Sequence, residues 1–262
     1  MKNIKDGYKK LFSDANIAEG YRCGGKRVSF KELSHFVGMK GKDYDKQQTR
    51  ILIVGRAVNG WGSIKGDNAE EFSQKAIEMM QSECFNWIVF DDGILRNDDL
   101  CEDGYYYLSK SSFWRVARAI WMELSGNIGY EDNANHKWVD NIAWTNLYKI
   151  APIDGGNPTE KMCQRQDSAC KEILLAEIEE YKPTHILFIT GYRYWFEWFR
   201  DVVGVELSEV KANVLRGANK NENYVETYGV TGSGVKVVVA CRPEYRNEGA
   251  YVRDIVNTFE KM

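Results

Sequence analysis

The sequence predicts an α/β protein, a three-layer sandwich with a mainly parallel four-stranded central sheet flanked by helices. Three observations predict it. Short apolar, β-branched runs near 51–55, 142–148, 185–190 and 236–241 have the character of strands buried on both faces. Stretches with helical apolar spacing stand between them, which is the alternation that builds parallel sheets. The chain has 262 residues, 44% hydrophobic and 28% charged, enough to bury a sizeable core and consistent with one domain over 1–262.

In chain order, residues 1–49 read as a helical N-terminal cover, because Tyr8, Leu11, Phe12, Phe30, Leu33 and Phe36 recur at roughly helical spacing around the Gly24-Gly25 and Gly41 breaks. Arg50-Ile-Leu-Ile-Val-Gly55 is the first core strand. The loop after it, Gly55 to Gly62, carries three glycines that allow close backbone approach to a ligand. It matches neither the P-loop nor the dinucleotide-binding glycine pattern, so no phosphate loop is expected. Ala69 to Glu83 has a helical stripe of Phe72, Ala76, Met79 and Met80. Ser111-Ser112 reads as the cap of a helix through Leu124 that ends at Gly126 and places Phe113, Val116, Ala117, Ile120 and Leu124 on one face.

The central strand runs within Asn141 to Pro152 and stops at the Asp154-Gly155-Gly156 turn signal. Glu160 to Tyr181 is a long helix that Pro183 stops. His185 to Thr190 is the third strand, and Tyr192, Trp195, Phe196 and Phe199 read as the buried stripe of a helix after it. Tyr224 to Val230 pairs with the last core strand, Val235 to Cys241, across Thr231-Gly-Ser-Gly234. A closing helix buries Val252, Ile255, Val256 and Phe259.

The net charge of −3 argues against a generic polyanion binder, but the charges are unevenly placed. Residues 1–50 hold twelve basic residues against six acids, a local +6, whereas 67–104 hold eleven acids against Lys75 and Arg96, a local −9. This acidic insertion is expected to dock on the N-terminal cover or to face a protein partner. Six scattered cysteines, without a Cys-x-x-Cys knuckle, suit a reduced compartment. No run of about 18 apolar residues is present, and Met-Lys-Asn-Ile-Lys-Asp lacks a signal stretch. The expectation is a cytoplasmic protein with no membrane partner.

In open α/β sheets ligands bind outside the carboxyl ends of the strands, which singles out Asn146 and Lys149. An asparagine there offers two donors and an acceptor to a ligand edge, although the same side chain could cap the following loop. Four strand ends stand in order: Val54-Gly-Arg-Ala57, Trp144-Thr-Asn-Leu-Tyr-Lys149, Ile189-Thr-Gly191 and Cys241-Arg-Pro-Glu-Tyr-Arg-Asn247. This order resembles the uracil-DNA glycosylase superfamily over about residues 50–260. The middle block, Thr145-Asn146-Leu147 with Lys149, Pro152, Asn157-Pro158, Cys170 and Pro183, is similar to the thermophile-type branch. Ser112-Phe113-Trp114 is similar to the mismatch-specific branch, and Arg246-Asn247 to the single-strand-selective branch.

The resemblance implies a pocket for a flipped base, uracil or a related deaminated base, and hydrolysis of its N-glycosidic bond. In it Asn146 reads the pairing edge, Phe113 or Trp114 stacks on the base, and backbone amides of the Gly55 to Gly62 loop hold a base carbonyl, with Gly55, Arg56 and Ala57 in the substrate-binding set. Lys149, Arg246 and Asn247 complete the substrate-binding set. Arg242 stabilises the departing base anion, since a guanidinium supplies charge and donors without titrating. Two departures stand out: Ala57 occupies a position that often carries Asp or Asn to orient the attacking water, and Arg242-Pro243-Glu244 replaces the usual His-Pro-Ser. Asn59 is the nominee for the water, with Asp91 or Asp92 in reserve. Cys170 matches one iron–sulfur ligand, but the paired N-terminal cysteines are missing, so no cofactor or metal is expected. The partners implied are DNA, single- or double-stranded, or a nucleotide. The alternatives are a non-catalytic nucleic-acid- or protein-binding member of the same fold, and a hydrolase of free nucleosides or nucleotides.

Overall fold

The computed structural model describes residues 4–12, 33–57, 111–132, 137–152, 156–208 and 223–262, Gln74, and four short strand pieces. Expectations for Asn59, the rest of the glycine loop, the 69–83 helix and Asp91 and Asp92 in the acidic insertion lie outside the described residues.

In chain order the elements are α1 (Ile4–Phe12), β1 (Arg22–Cys23), β2 (Lys26–Arg27), β3 (Leu33–His35), β4 (Met39–Lys40), β5 (Ile51–Gly55), β6 (Ile94–Leu95), β7 (Tyr106–Tyr107), α2 (Ser112–Ser125), β8 (Ala143–Asn146), β9 (Ile150–Pro152), α3 (Glu160–Tyr181), β10 (His185–Phe188), α4 (Arg200–Val203), β11 (Val205–Leu207), β12 (Val225–Thr231), β13 (Lys236–Ala240) and α5 (Glu248–Lys261). The main sheet is mixed and has seven strands in the order β11-β12-β13-β10-β5-β8-β4, not four. The predicted strands β13, β10, β5 and β8 are its contiguous parallel centre. The additions are antiparallel edges: β12 and β11 on one side, β4 on the other. Strands β4 and β11 have only two and three residues and β12 is half-buried along most of its length, so none carries the continuous apolar signal of the centre, although the pairing of β12 with β13 is the one the sequence predicts.

Every residue of β5 is buried, as a central parallel strand requires. Its side chains alternate between two cores. Leu52 and Val54 join α1, α3, Phe196 and Phe199, whereas Ile51 and Ile53 join α2 and α5. Helix α3 begins where the Thr159 hydroxyl accepts a hydrogen bond from Met162 N at 3.3 Å, and it closes at Lys182 in the left-handed conformation just before Pro183. Helix α2 stops at Gly126, also left-handed.

Three expectations are corrected. Residues 33–40 are extended rather than helical, because β3 pairs with β9 and Phe36 N donates to Lys149 O at 2.7 Å, so a spacing of three buries Leu33 and Phe36 without a helix. The aromatic stretch 192–199 is a series of turns ending in a 3-10 segment at Phe196–Phe199, with Tyr194 at φ 66. The central strand is two strands: the chain leaves the main sheet after Asn146 and re-enters a small sheet as β9. No helix among the described residues is long and apolar enough to cross a membrane.

Candidate functional site

Strand β5 lies between β8 and β10, so the chain runs one way from it to reach β8 and the other to reach β10. Such a switch point leaves a crevice at the carboxyl ends of the strands. A cavity of about 250 Å³ opens there, lined by residues from four successive strand ends: Gly55, Asn146, Ile189 and Arg242. Phe113 and Trp114 from the start of α2, with Trp144, form its aromatic wall. Phe113 meets Trp114 edge-on at 5.2 Å, and Trp114 meets Trp144 edge-on at 4.6 Å. These pairings hold the rings by their edges and keep the wall rigid.

The side chain of Asn146 is 3% exposed and faces this cavity, on the same side of β8 as Trp144. Its Nδ2 is buried without a hydrogen-bond partner. A buried donor left unpaired destabilises a protein by about 1–3 kcal/mol, so this amide is open to an acceptor in the cavity, a water or a ligand atom. Gly55 pairs with Asn146 across the ladder, and a Cβ at Gly55 would collide with Asn146 Oδ1 and stand 3.6 Å from Phe113. Glycine here keeps the amide against the backbone.

Arg56 and Ala57 continue the wall from β5. The Arg56 guanidinium donates to Thr190 O at 2.6 Å and lies 4.8 Å over the Trp195 ring. Burial, then the nearby charge of Arg242, pushes Arg56 down to about 10, still fully protonated near neutrality. Arg242 is exposed at the cavity mouth and forks onto Glu244, with Nε 2.9 Å from Oε2 and Nη2 also on that carboxylate.

Three predicted site residues are elsewhere. Lys149 is fully buried on the opposite face of the sheet, paired with Glu177 at 3.1 Å, because the chain bends out of the sheet after Asn146 and turns the lysine into the core. Asn247 caps α5, its Oδ1 accepting from Ala250 N at 3.0 Å. Arg246 is exposed beside it and does not line the cavity. Conversely, Ser111, Asn157 and Glu244 line the cavity without having been singled out as site residues. Ser111 is the N-cap residue of α2 but makes no side-chain capping bond, so its hydroxyl can serve the cavity. Glu244 was legible as a carboxylate two residues from Arg242.

The described residues contain no group of three or more side chains suited to a metal ion. Cys170 does not fit a cluster ligand: it is fully buried, its Sγ donates to Gln166 Oε1 at 3.4 Å, and burial pushes its thiol up to about 12. What the arrangement can do is enclose one small planar polar group between an aromatic wall and an unpaired amide, with a guanidinium at the entrance. Compared with known proteins, the chain matches no protein-family model and no curated protein, so the reading of this site rests on its geometry.

Proposed function

We propose that this cavity binds an extruded nucleobase and that the protein is a DNA glycosylase-like hydrolase of uracil or a related deaminated base. The observation that carries the proposal is the unpartnered, buried Nδ2 of Asn146 inside a cavity walled by Phe113 and Trp114. A lone amide in an aromatic slot is complementary to the carbonyl-bearing edge of a base and to its flat face. The volume of about 250 Å³ suits a single heterocycle, being below the roughly 300–1,000 Å³ of sites for larger ligands. The proposal includes a three-layer arrangement of helices on the parallel centre of the sheet, as the resemblance to the uracil-DNA glycosylase superfamily implies, and action in the cytoplasm on DNA.

In this reading Asn146 donates to a base carbonyl, Phe113 packs on the ring, and backbone groups of Gly55 to Ala57 close the far edge. Breaking the N-glycosidic bond sends its electron pair to the base and leaves an oxocarbenium-like sugar. Arg242 stabilises the departing base anion, and water adds to the sugar and gives up one proton, which balances the proton the base anion takes up on release. A non-catalytic base-binding role is a second reading, favoured by the hold of Glu244 on Arg242 and by the methyl group of Ala57 at the inner end.

The test is incubation of the protein with single- and double-stranded oligonucleotides carrying uracil, hypoxanthine or xanthine, measuring free base and binding together. Base release supports the hydrolase. Selective binding without release supports the second reading, and loss of either effect in Asn146→Ala assigns it to the cavity. Neither release nor base-selective binding overturns both.

A further inference from the structure

The Lys149 ammonium group is buried on the far side of the sheet, yet it touches the residue that carries the cavity amide. Its three donors are all engaged: Thr145 Oγ1 at 2.5 Å, the backbone oxygen of Asn146 at 2.6 Å, and the Glu177 carboxylate at 3.1 and 3.3 Å. Glu177, fully buried as well, accepts from the Thr145 hydroxyl at 2.7 Å and from the Tyr8 hydroxyl at 2.6 Å. Tyr8 in turn accepts from Gly38 N at 2.6 Å. A Cβ at Gly38 would collide with Glu177 Oε1, so the connector between β3 and β4 is packed directly on the carboxylate.

Such a cluster is not explained by stability alone. Replacing a buried ion pair with apolar groups of similar size is often neutral or stabilising by about 1–4 kcal/mol. What an apolar pair would not supply is a donor to the Asn146 carbonyl. That carbonyl stands where the chain departs from the ladder, beyond which Leu147 N still reaches Gly55 O at 2.9 Å. Because side chains alternate across a strand, rotation of this peptide on the Lys149 side swings the Asn146 amide on the cavity side. We infer that Lys149, held by Glu177 and Tyr8, is a positioning residue that fixes the Asn146 peptide from behind the sheet and thereby aims its side-chain amide into the cavity. The inference deepens the base-binding reading and rests on it for the meaning of the aim, but the positioning itself is measurable without a ligand.

The test is the paired apolar variant Lys149→Met with Glu177→Leu, which leaves no charge stranded. Its Tm is expected to fall, because the Tyr8 and Thr145 hydroxyls and the Asn146 carbonyl lose their partners, and the readouts that follow are taken on the folded protein. The Asn146 side-chain amide signal in nitrogen-resolved NMR, identified by its loss in Asn146→Ala, is expected to shift and broaden. The preference for a uracil-containing single-stranded oligonucleotide over the matching cytosine one is expected to fall by about tenfold or more, since small misplacements of a recognition group are heavily penalised. A folded double variant with an unchanged amide signal and unchanged preference overturns the inference. If wild type shows no preference, base reading fails and the amide signal alone decides the positioning. If the double variant does not fold, Thr145→Val removes one hydroxyl from the cluster at constant size, and the same amide signal decides: altered supports, unaltered overturns.

Discussion

Gly55 and Asn146 are register partners on adjacent parallel strands, and the amide oxygen of Asn146 occupies the space that a Cβ on Gly55 would need. The obstructing atom belongs to a buried side chain that lines the cavity together with Phe113. Gly55→Ala is therefore expected to push the amide off its position. Overpacking of this kind destabilises by about 1–3 kcal/mol. A chemical-denaturation curve measures that loss, and base-selective binding is expected to disappear with it. A Gly55→Ala protein with wild-type binding would show that the amide has room to move.

Asn146→Leu separates stability from function. It replaces a buried donor that has no protein partner with an apolar group of similar shape, so the Tm of the free protein is expected to stay level or rise, while base-selective binding is lost. A lowered Tm would mean that the amide serves the fold.

These two residues also mark how far the sequence could be read. Buried parallel strands leave continuous apolar runs, so β5, β8, β10 and β13 were visible, and with them the strand ends that gather Gly55, Asn146 and Arg242 around one cavity. The edge strand β11 offers only Val205, an exposed Glu206 and a half-buried Leu207, too short a pattern to separate from a loop. Lys149 was misplaced because spacing along the chain carries no sign of a bend after Asn146. Asn247 was misplaced because a cap and a ligand-binding asparagine look alike in sequence; its position ahead of the periodic α5 helix favours the cap.

Acid is expected to weaken the fold through its buried histidines. Burial lowers His35 from 6.5 to about 3, and burial with the nearby charge of Lys236 lowers His185 to about 4. In the unfolded chain both take up a proton near the ordinary value, so below it the unfolded state holds more protons. Their stabilising contribution is fully present above pH 6.5 and is lost as pH falls toward 4 and then 3. Each fully buried group accounts for about 1.4 kcal/mol per pH unit in that window, and the less buried His185 for less. Urea unfolding at pH 7.5 and 5.5 is expected to differ by about 1–3 kcal/mol. His35→Gln is expected to flatten the dependence, and an unchanged slope in that variant would assign it to other groups.

The mouth of the cavity holds opposing charges within one turn, and their balance decides whether Arg242 is available to a ligand. The Arg242 guanidinium bonds the Glu244 carboxylate through both Nε and Nη2, two residues along the same loop. The pair is partly exposed, with side-chain exposures of 43% and 33%, so its net contribution to folding is small. Its effect on an approaching anion is larger, because Glu244 both neutralises the guanidinium and occupies the donors that would otherwise meet a phosphate or a departing base. Glu244→Gln removes the charge and keeps the size. In that variant the affinity for a single-stranded oligonucleotide is expected to rise by roughly 3- to 10-fold at low salt, with a log–log salt slope steeper by about one. The gain should fade as salt rises, since the Debye length shrinks to about 8 Å at physiological ionic strength. Arg242→Ala is expected to move affinity the opposite way, and adding Glu244→Gln to it should restore only the part due to removed repulsion. Oligonucleotide titrations of the three variants across salt concentrations measure all of this. Equal affinity in wild type and Glu244→Gln at every salt would mean that nucleic acid does not pass this mouth.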